Sequence, residues 1–132
     1  MITAALRKDL HSTPATRSRS RWYSLEGGGE VYVRINSVHL IENSLKMCVD
    51  VANVSVRRKR EGVFSRFLVA LELEVQRSNH LYGIFIENIM PVWLLSPLYR
   101  RGYRFVDQNF DLPCMYKDLN SEYHGENSFE RP

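Results

Sequence analysis

The sequence predicts an α+β domain: one mixed, mostly antiparallel sheet flanked by helices in three layers. Three observations lead there. Apolar and β-branched residues over 30–54 read as successive meander strands. A helical apolar period follows over 62–77, and a second apolar strand over 82–90 comes directly after it. Strand, helix, strand brings the two flanking strands together in parallel through a right-handed crossover. The other strands then pair antiparallel around them.

Composition narrows the class. The 132 residues fit one domain with a single core, and 44% hydrophobic with 25% charged residues describe a folding chain. The net charge of +3 is unevenly placed: Arg57, Arg58, Lys59 and Arg60 form one run, while Arg7, Lys8, Arg17, Arg19 and Arg21 lie near the N-terminus. Such asymmetry points to an anionic partner, whether a phosphorylated cofactor, nucleic acid or an acidic surface. Cys48 and Cys114 each stand beside apolar residues, which predicts buried thiols. No signal-peptide core and no run of membrane-spanning length is present, so a soluble cytoplasmic protein without a membrane partner is expected.

In chain order, 3–10 reads as a short helix and 12–21 as a polar loop or flexible arm, closed by Gly27, Gly28 and Gly29. The expected layout is an N-terminal arm over 1–28, a domain over 29–119 and a polar tail over 120–132. Within the domain, 30–35 alternates as a strand, 38–41 is a second short strand, and Glu42, Asn43 and Ser44 make a turn. Residues 45–54 are apolar on both faces, as in a central strand, and Asp50 interrupts them. His39 reads as a surface or satisfied histidine. In the following helix Phe64, Phe67, Leu68, Leu71 and Val75 mark the buried face, leaving Arg66, Glu74 and Arg77 to water. After the strand over 82–90, Ser96, Pro97 and Gly102 cap, open and end a short helix. Strands over 103–106 and 114–117 complete the sheet.

The stretch over 53–68 carries the most chemistry. A β-branched segment runs into four consecutive basic residues, then Glu61, Gly62 and a helix. A turn of this kind points N–H groups inward, and the helix start adds the positive end of its dipole, so the pair suits a phosphate.

On these residues the chain resembles the GNAT N-acyltransferase superfamily. Three blocks over about 30–119 carry the likeness: the strand and turn Val54-Ser55-Val56-Arg57-Arg58-Lys59-Arg60-Glu61-Gly62, the helix after it, and the run from Gly83 to Val106 containing Glu87, Asn88 and Gly102. The resemblance implies acetyl-CoA as cofactor and an amine of a small molecule, peptide or protein as acceptor. It implies that two parallel strands splay apart and admit the pantetheine arm. Lys59, Arg60, Glu61, Gly62, Val63, Phe64 and Ser65 would form the diphosphate loop. Backbone groups of Asn53, Val54, Ser55 and Val56, together with Asn88, would line the arm. Phe64 stands where the family has a small residue, so its side chain must turn into the core, and Glu61 must face away from phosphate.

Acyl transfer needs a base for the ammonium, a donor for the oxyanion and an acid for the thiolate. Asp50 is the first candidate base, because a buried carboxyl holds protons more tightly than a free one. Glu87 is the second, and Tyr99, one residue from the family's tyrosine position, is the candidate acid. The four histidines and two cysteines show no metal-ligand spacing. Two alternatives stand beside the enzyme: a CoA-holding or protein-interaction module without turnover, and a basic nucleic-acid-binding protein. The second is disfavoured because aromatics for base stacking do not interleave with the arginines. A homodimeric assembly is left open.

Overall fold

The computed structural model describes residues 2–55, 62–89, 92–106 and 112–120. In chain order these form helix α1 (Ala4–Ser12), strands β1 (Arg19–Ser24), β2 (Glu30–Ile41) and β3 (Ser44–Ser55), helix α2 (Val63–Arg77), strand β4 (Gly83–Ile86), a 3₁₀ turn (Val92–Leu94), helix α3 (Leu95–Arg100) and strands β5 (Arg104–Phe105) and β6 (Met115–Asp118). The strands build one sheet in the order β1-β2-β3-β4-β6-β5. Every pairing is antiparallel except β3 with β4, which run parallel across the α2 crossover.

Period-two alternation decides the two faces. Val31, Val33, Ile35, Val49, Val51, Ile84 and Ile86 point to the helices and meet Phe67, Leu68, Leu71 and Val75 of α2 in the main core. The opposite face carries a smaller cluster of Ile41, Cys48, Phe85, Cys114 and Tyr116. Both cysteines are buried free thiols, and burial pushes both upward in pKa. No helix among the described residues is long and apolar enough to cross a membrane.

Several sequence expectations are corrected here. The loop or arm over 12–21 overlaps β1, whose Arg19–Ser24 pairs residue by residue with β2. Tyr23 buries its ring and donates to Asp9 at 2.6 Å, while Arg19 and Arg21 lie 3.5 and 3.4 Å from the same carboxylate. The two short strands over 30–41 are one strand with an extra residue, Asn36, whose left-handed backbone forms a bulge. Its amide nitrogen donates to the carbonyls of Pro14 and Arg17, and its amide oxygen bonds to His80 Nε2. Glu74, expected in water, is buried beneath α1 among Arg7, His11 and Arg77. The strand over 82–90 shortens to Gly83–Ile86. Helix α3 starts at Leu95, without a side-chain cap, so Ser96 lies inside it. Asn120, placed in the tail, donates to the carbonyls of Val75 and Leu81.

Candidate functional site

The parallel boundary between β3 and β4 is closed at one end and open at the other. Cys48 to Val51 pair with Gly83 to Ile86, and the last rung is the Glu87 N–H donating to the Val51 carbonyl at 3.0 Å. Two backbone irregularities sit just beyond that rung. On β3, Val51 stands opposite Val33 and Asn53 opposite Tyr32, so Ala52 is an extra, bulged residue. On β4, Asn88 adopts φ 50°. The turn sends the next amide, Ile89 N–H, to the Pro113 carbonyl at 2.8 Å instead of back to β3. The strands diverge and leave a cavity of about 220 Å³ lined by Ala52, Asn53, Val54, Phe64, Ile86, Glu87, Asn88, Ile89, Leu94 and Leu112.

The bulge also fixes which main-chain groups face the gap. Val51 directs its carbonyl to β4, so the Val33–Val51 pair is a non-hydrogen-bonded pair of the β2–β3 ladder. Val31–Val54, two residues along β2, has the same parity, so the N–H and C=O of Val54 point away from β2 into the gap.

Helix α2 begins at this cavity. Its N-cap Gly62 is left-handed at φ 68° and contributes no side-chain cap. Phe64 is buried and lines the cavity wall, as its place in the loop required, while Ser65 stays exposed. Val63 is buried against Gly27, whose added Cβ would meet its side chain at 3.0 Å. Of the loop residues expected to bind phosphate, Lys59, Arg60 and Glu61 lie outside the described residues, as does Val56, expected along the arm.

A polar cluster closes the lower end of the gap on the face away from α2. Asp50 is fully buried, and His39 Nε2 lies 2.8 and 2.9 Å from its two oxygens. The His39 ring stacks on Phe85 with centroids 3.8 Å apart. Arg34 hydrogen-bonds Glu87 and approaches Asp50 at 3.8 Å. Burial, and then the neighbouring Asp50, raise the Glu87 pKa against the opposing pull of Arg34 and His39. Glu87 therefore reaches the cavity with a strengthened affinity for a proton, while Asp50 stays behind it. His39, Asp50 and Glu87 bring ligand-type atoms within 4.8 Å of one another. The Arg34 guanidinium already supplies positive charge at that spot, so a dication would meet repulsion there.

The structure brings Asn53, Val54, Phe64, Glu87 and Asn88 to one cavity. It does not bring Tyr99 there: this residue is half exposed, with Arg104 over its ring at 4.2 Å. Arg34 was missed as a partner because the sequence does not reveal the bulge at Asn36 that sets it opposite Asp50, and His39, opposite Lys46, was missed because it reaches Asp50 along the sheet face and not across a rung.

No family model and no curated protein matches the chain. Solved structures do: a bacterial toxin, at 11% identity and TM-score 0.51, covering 88% of this chain and 97% of that one, and a chain of the KacTA–DNA complex, at 11% identity and TM-score 0.56, covering 96% and 86%. Likeness at that identity is likeness of fold. The assignment to the GNAT N-acyltransferase superfamily, read from the three sequence blocks, is therefore corrected: with no family model matching, what the chain shares with these proteins is an architecture.

Proposed function

We propose that the protein transfers an acyl group, acetyl in the first instance, from coenzyme A to an amine. The observation that carries this reading is the divergence of two parallel strands above Val51 and Ile86 into a cavity that ends at the start of α2. At about 220 Å³ the cavity is below the roughly 300–1,000 Å³ of sites for drug-sized ligands, so it suits a slim extended arm with its nucleotide at the mouth.

Acetyl-CoA bound there supplies an activated thioester. The chain's own groups do the rest. The first-turn amides of α2, with no side chain capping them, offer donors and a positive dipole end to a diphosphate. Val54 offers its C=O to the arm as a strand neighbour would, and its N–H is left to stabilise the oxyanion. Glu87 takes the proton from the incoming ammonium, directly or through water. Arg34 holds the Glu87 carboxylate in place, and Asp50 with His39 holds that corner rigid. The similar chains are a bacterial toxin and a member of a complex with DNA, so a protein or DNA partner joins the amine in this reading.

Acetyl-CoA at a hundred times its Kd should stabilise the fold by about 2.7 kcal/mol, read as a rise in Tm. Thiol release with a panel of amines then reports turnover. Glu87→Gln should lower kcat by roughly 10²–10⁴. In the parent, kcat should climb with pH as Glu87 loses its proton above the ordinary carboxyl range. A Tm indifferent to millimolar acetyl-CoA would end the proposal.

A further inference from the structure

The sheet ends in two unlike edges. β5, at one edge, is two residues long, whereas β1, at the other, runs six residues in unbroken register with β2 and holds neither a proline nor a bulge. A regular strand with one side free is a template for another strand. The ladder shows which groups are free. Val33 forms a non-hydrogen-bonded pair with Val51, so its N–H and C=O turn to β1 and meet Arg21. Arg19 and Tyr23 share that parity, and the Leu25 N–H continues it by donating to the Gly29 carbonyl at 2.9 Å. Ser20, Trp22 and Ser24 therefore direct their main-chain N–H and C=O outward, and among the described residues no strand meets them.

The side chains along this edge divide by face. Ser20, Trp22 and Ser24 lie away from the helices, where the Trp22 indole is 45% exposed and its ring sits 5.3 Å from that of Tyr32. Glu30 and Arg34, the β2 partners of Ser24 and Ser20, bring one charge of each sign to that face, and Arg34 is held by Glu87. Arg19, Arg21 and Tyr23 lie on the helix face, around Asp9. Asp9 is buried and already accepts from Tyr23, so one carboxylate answers two guanidiniums whose side chains keep 51% and 47% exposure. Of the other charges on α1, Arg7 and His11 turn to Glu74 and Lys8 is exposed, so none of them cancels the surplus. Glu26 and Glu30 stand at the other end of the strand, by Ser24, so the surplus belongs to the Arg19–Arg21 half.

We propose that β1 is a docking edge for an extended segment of a partner protein, added as a further antiparallel strand with carboxylates at alternate positions. Hydrogen-bonded pairs then fall at Ser20, Trp22 and Ser24. Arg19 and Arg21 fall at the non-hydrogen-bonded pairs, where side chains across the strands come closest and opposite charges attract most. The residue opposite Trp22 lies on the other face and packs on the indole, so an apolar one suits it. A second copy of this chain fits worse, because pairing through the same edge gathers four guanidiniums around two carboxylates. The edge arginines thus turn away like copies and admit an acidic strand. β1 lies two strand spacings, about 10 Å, from β3, so the edge can be filled while the β3–β4 gap stays open. This docking does not rest on acyl transfer.

The probe is a capped hexapeptide of alternating glutamate and valine. The full chain carries two tryptophans, so Trp93→Phe leaves Trp22 as the reporter. Titrating the peptide should shift Trp22 emission to the blue as the indole loses water. Glutamines in place of the glutamates should weaken binding roughly five-fold. In the proposed register the valine amides face β1 and the glutamate amides face away. N-methylation of the valines should therefore abolish the shift, and N-methylation of the glutamates should leave it. Ser20→Pro removes an outward N–H and no rung to β2, so Tm should hold while binding weakens roughly ten-fold. If that variant misfolds, the two methylated peptides decide. Unshifted Trp22, equal binding of the two methylated peptides, or equal binding of the glutamine peptide would overturn the proposal. So would a blue shift that grows with protein concentration alone, or a duplex oligonucleotide that shifts Trp22 in the peptide's place. Stabilisation by acetyl-CoA with Trp22 unshifted ends the docking edge and leaves the transfer reading. A shift without any response to acetyl-CoA does the reverse.

Discussion

The two ends of the β3–β4 boundary are made from one pair of strands and behave in opposite ways. At the lower end Cys48, Val49, Asp50 and Val51 pair with Gly83, Ile84, Phe85 and Ile86, and all eight are buried. At the upper end Ala52 to Ser55 alternate between half-buried and exposed, and β4 has turned away. Both stretches are rich in small and β-branched residues, so propensity does not separate them. What separates them is one bulged residue and one left-handed residue at the same level of the sheet. A parallel pair can thus be opened locally while its core stays intact, because the bulged strand keeps its other neighbour, β2. The open end is where main-chain donors and acceptors become available to something other than the protein.

The lower end should break hardest at Gly83. A Cβ there would run into the Lys117 carbonyl oxygen and stand 2.8 Å from Tyr116 Oη. Gly83→Val should cost about 3 kcal/mol, read as a fall in the urea midpoint, and an unchanged midpoint would mean β4 and β6 lie farther apart. Asp50→Ala should cost nearly as much, about 3 kcal/mol, because it strands His39 and Arg34 beside a buried void. Glu87→Gln should cost only about 1 kcal/mol, since the Glu87 side chain keeps 17% exposure and can retain one hydrogen bond. Equal losses from the two carboxylates would erase the distinction between a supporting Asp50 and a cavity-facing Glu87.

At the upper end, Asn88→Ala should cost about 1 kcal/mol, because alanine resists the left-handed backbone that asparagine tolerates. Asn88→Gly should be nearly silent, and only the alanine variant should tighten the gap and weaken acetyl-CoA binding. The smallest effect is a pH dependence away from both ends. Burial lowers the His80 pKa below its ordinary 6.5. The unfolded chain then binds the proton more readily, so His80 contributes fully above pH 6.5 and progressively less as pH falls below it. His80→Gln should flatten the stability curve in that window, and a curve of unchanged slope would remove His80 from the Asn36 junction.

Much of the architecture could be read directly from the chain. The period of α2, the alternation in β2 and the strand–helix–strand order are local patterns, and they correctly led to a mixed sheet with one parallel pair. The polar cluster shows where local reading stops. Counting back from the two-residue turn at Glu42 and Asn43 sets Asp50 opposite Ile35; the extra residue at Asn36 moves the partner to Arg34. One residue of slip exchanges an apolar neighbour for a guanidinium, and nothing in 30–41 announces it. The polar segment running into β1 misled for a similar reason, since Arg19 and Arg21 of that strand are held by Asp9, ten and twelve residues away.

By itself, then, the amino-acid sequence determined the elements, their order and the central position of Asp50, because those follow from periodicity and from the short range of backbone preferences. Tertiary structure alone decided that β3 and β4 part above Val51, that Glu87 and not Asp50 meets the cavity, and that Trp22 and Tyr32 share a face. Each of these depends on register between strands far apart in the chain, and register is set by bulges and packing that no single segment encodes.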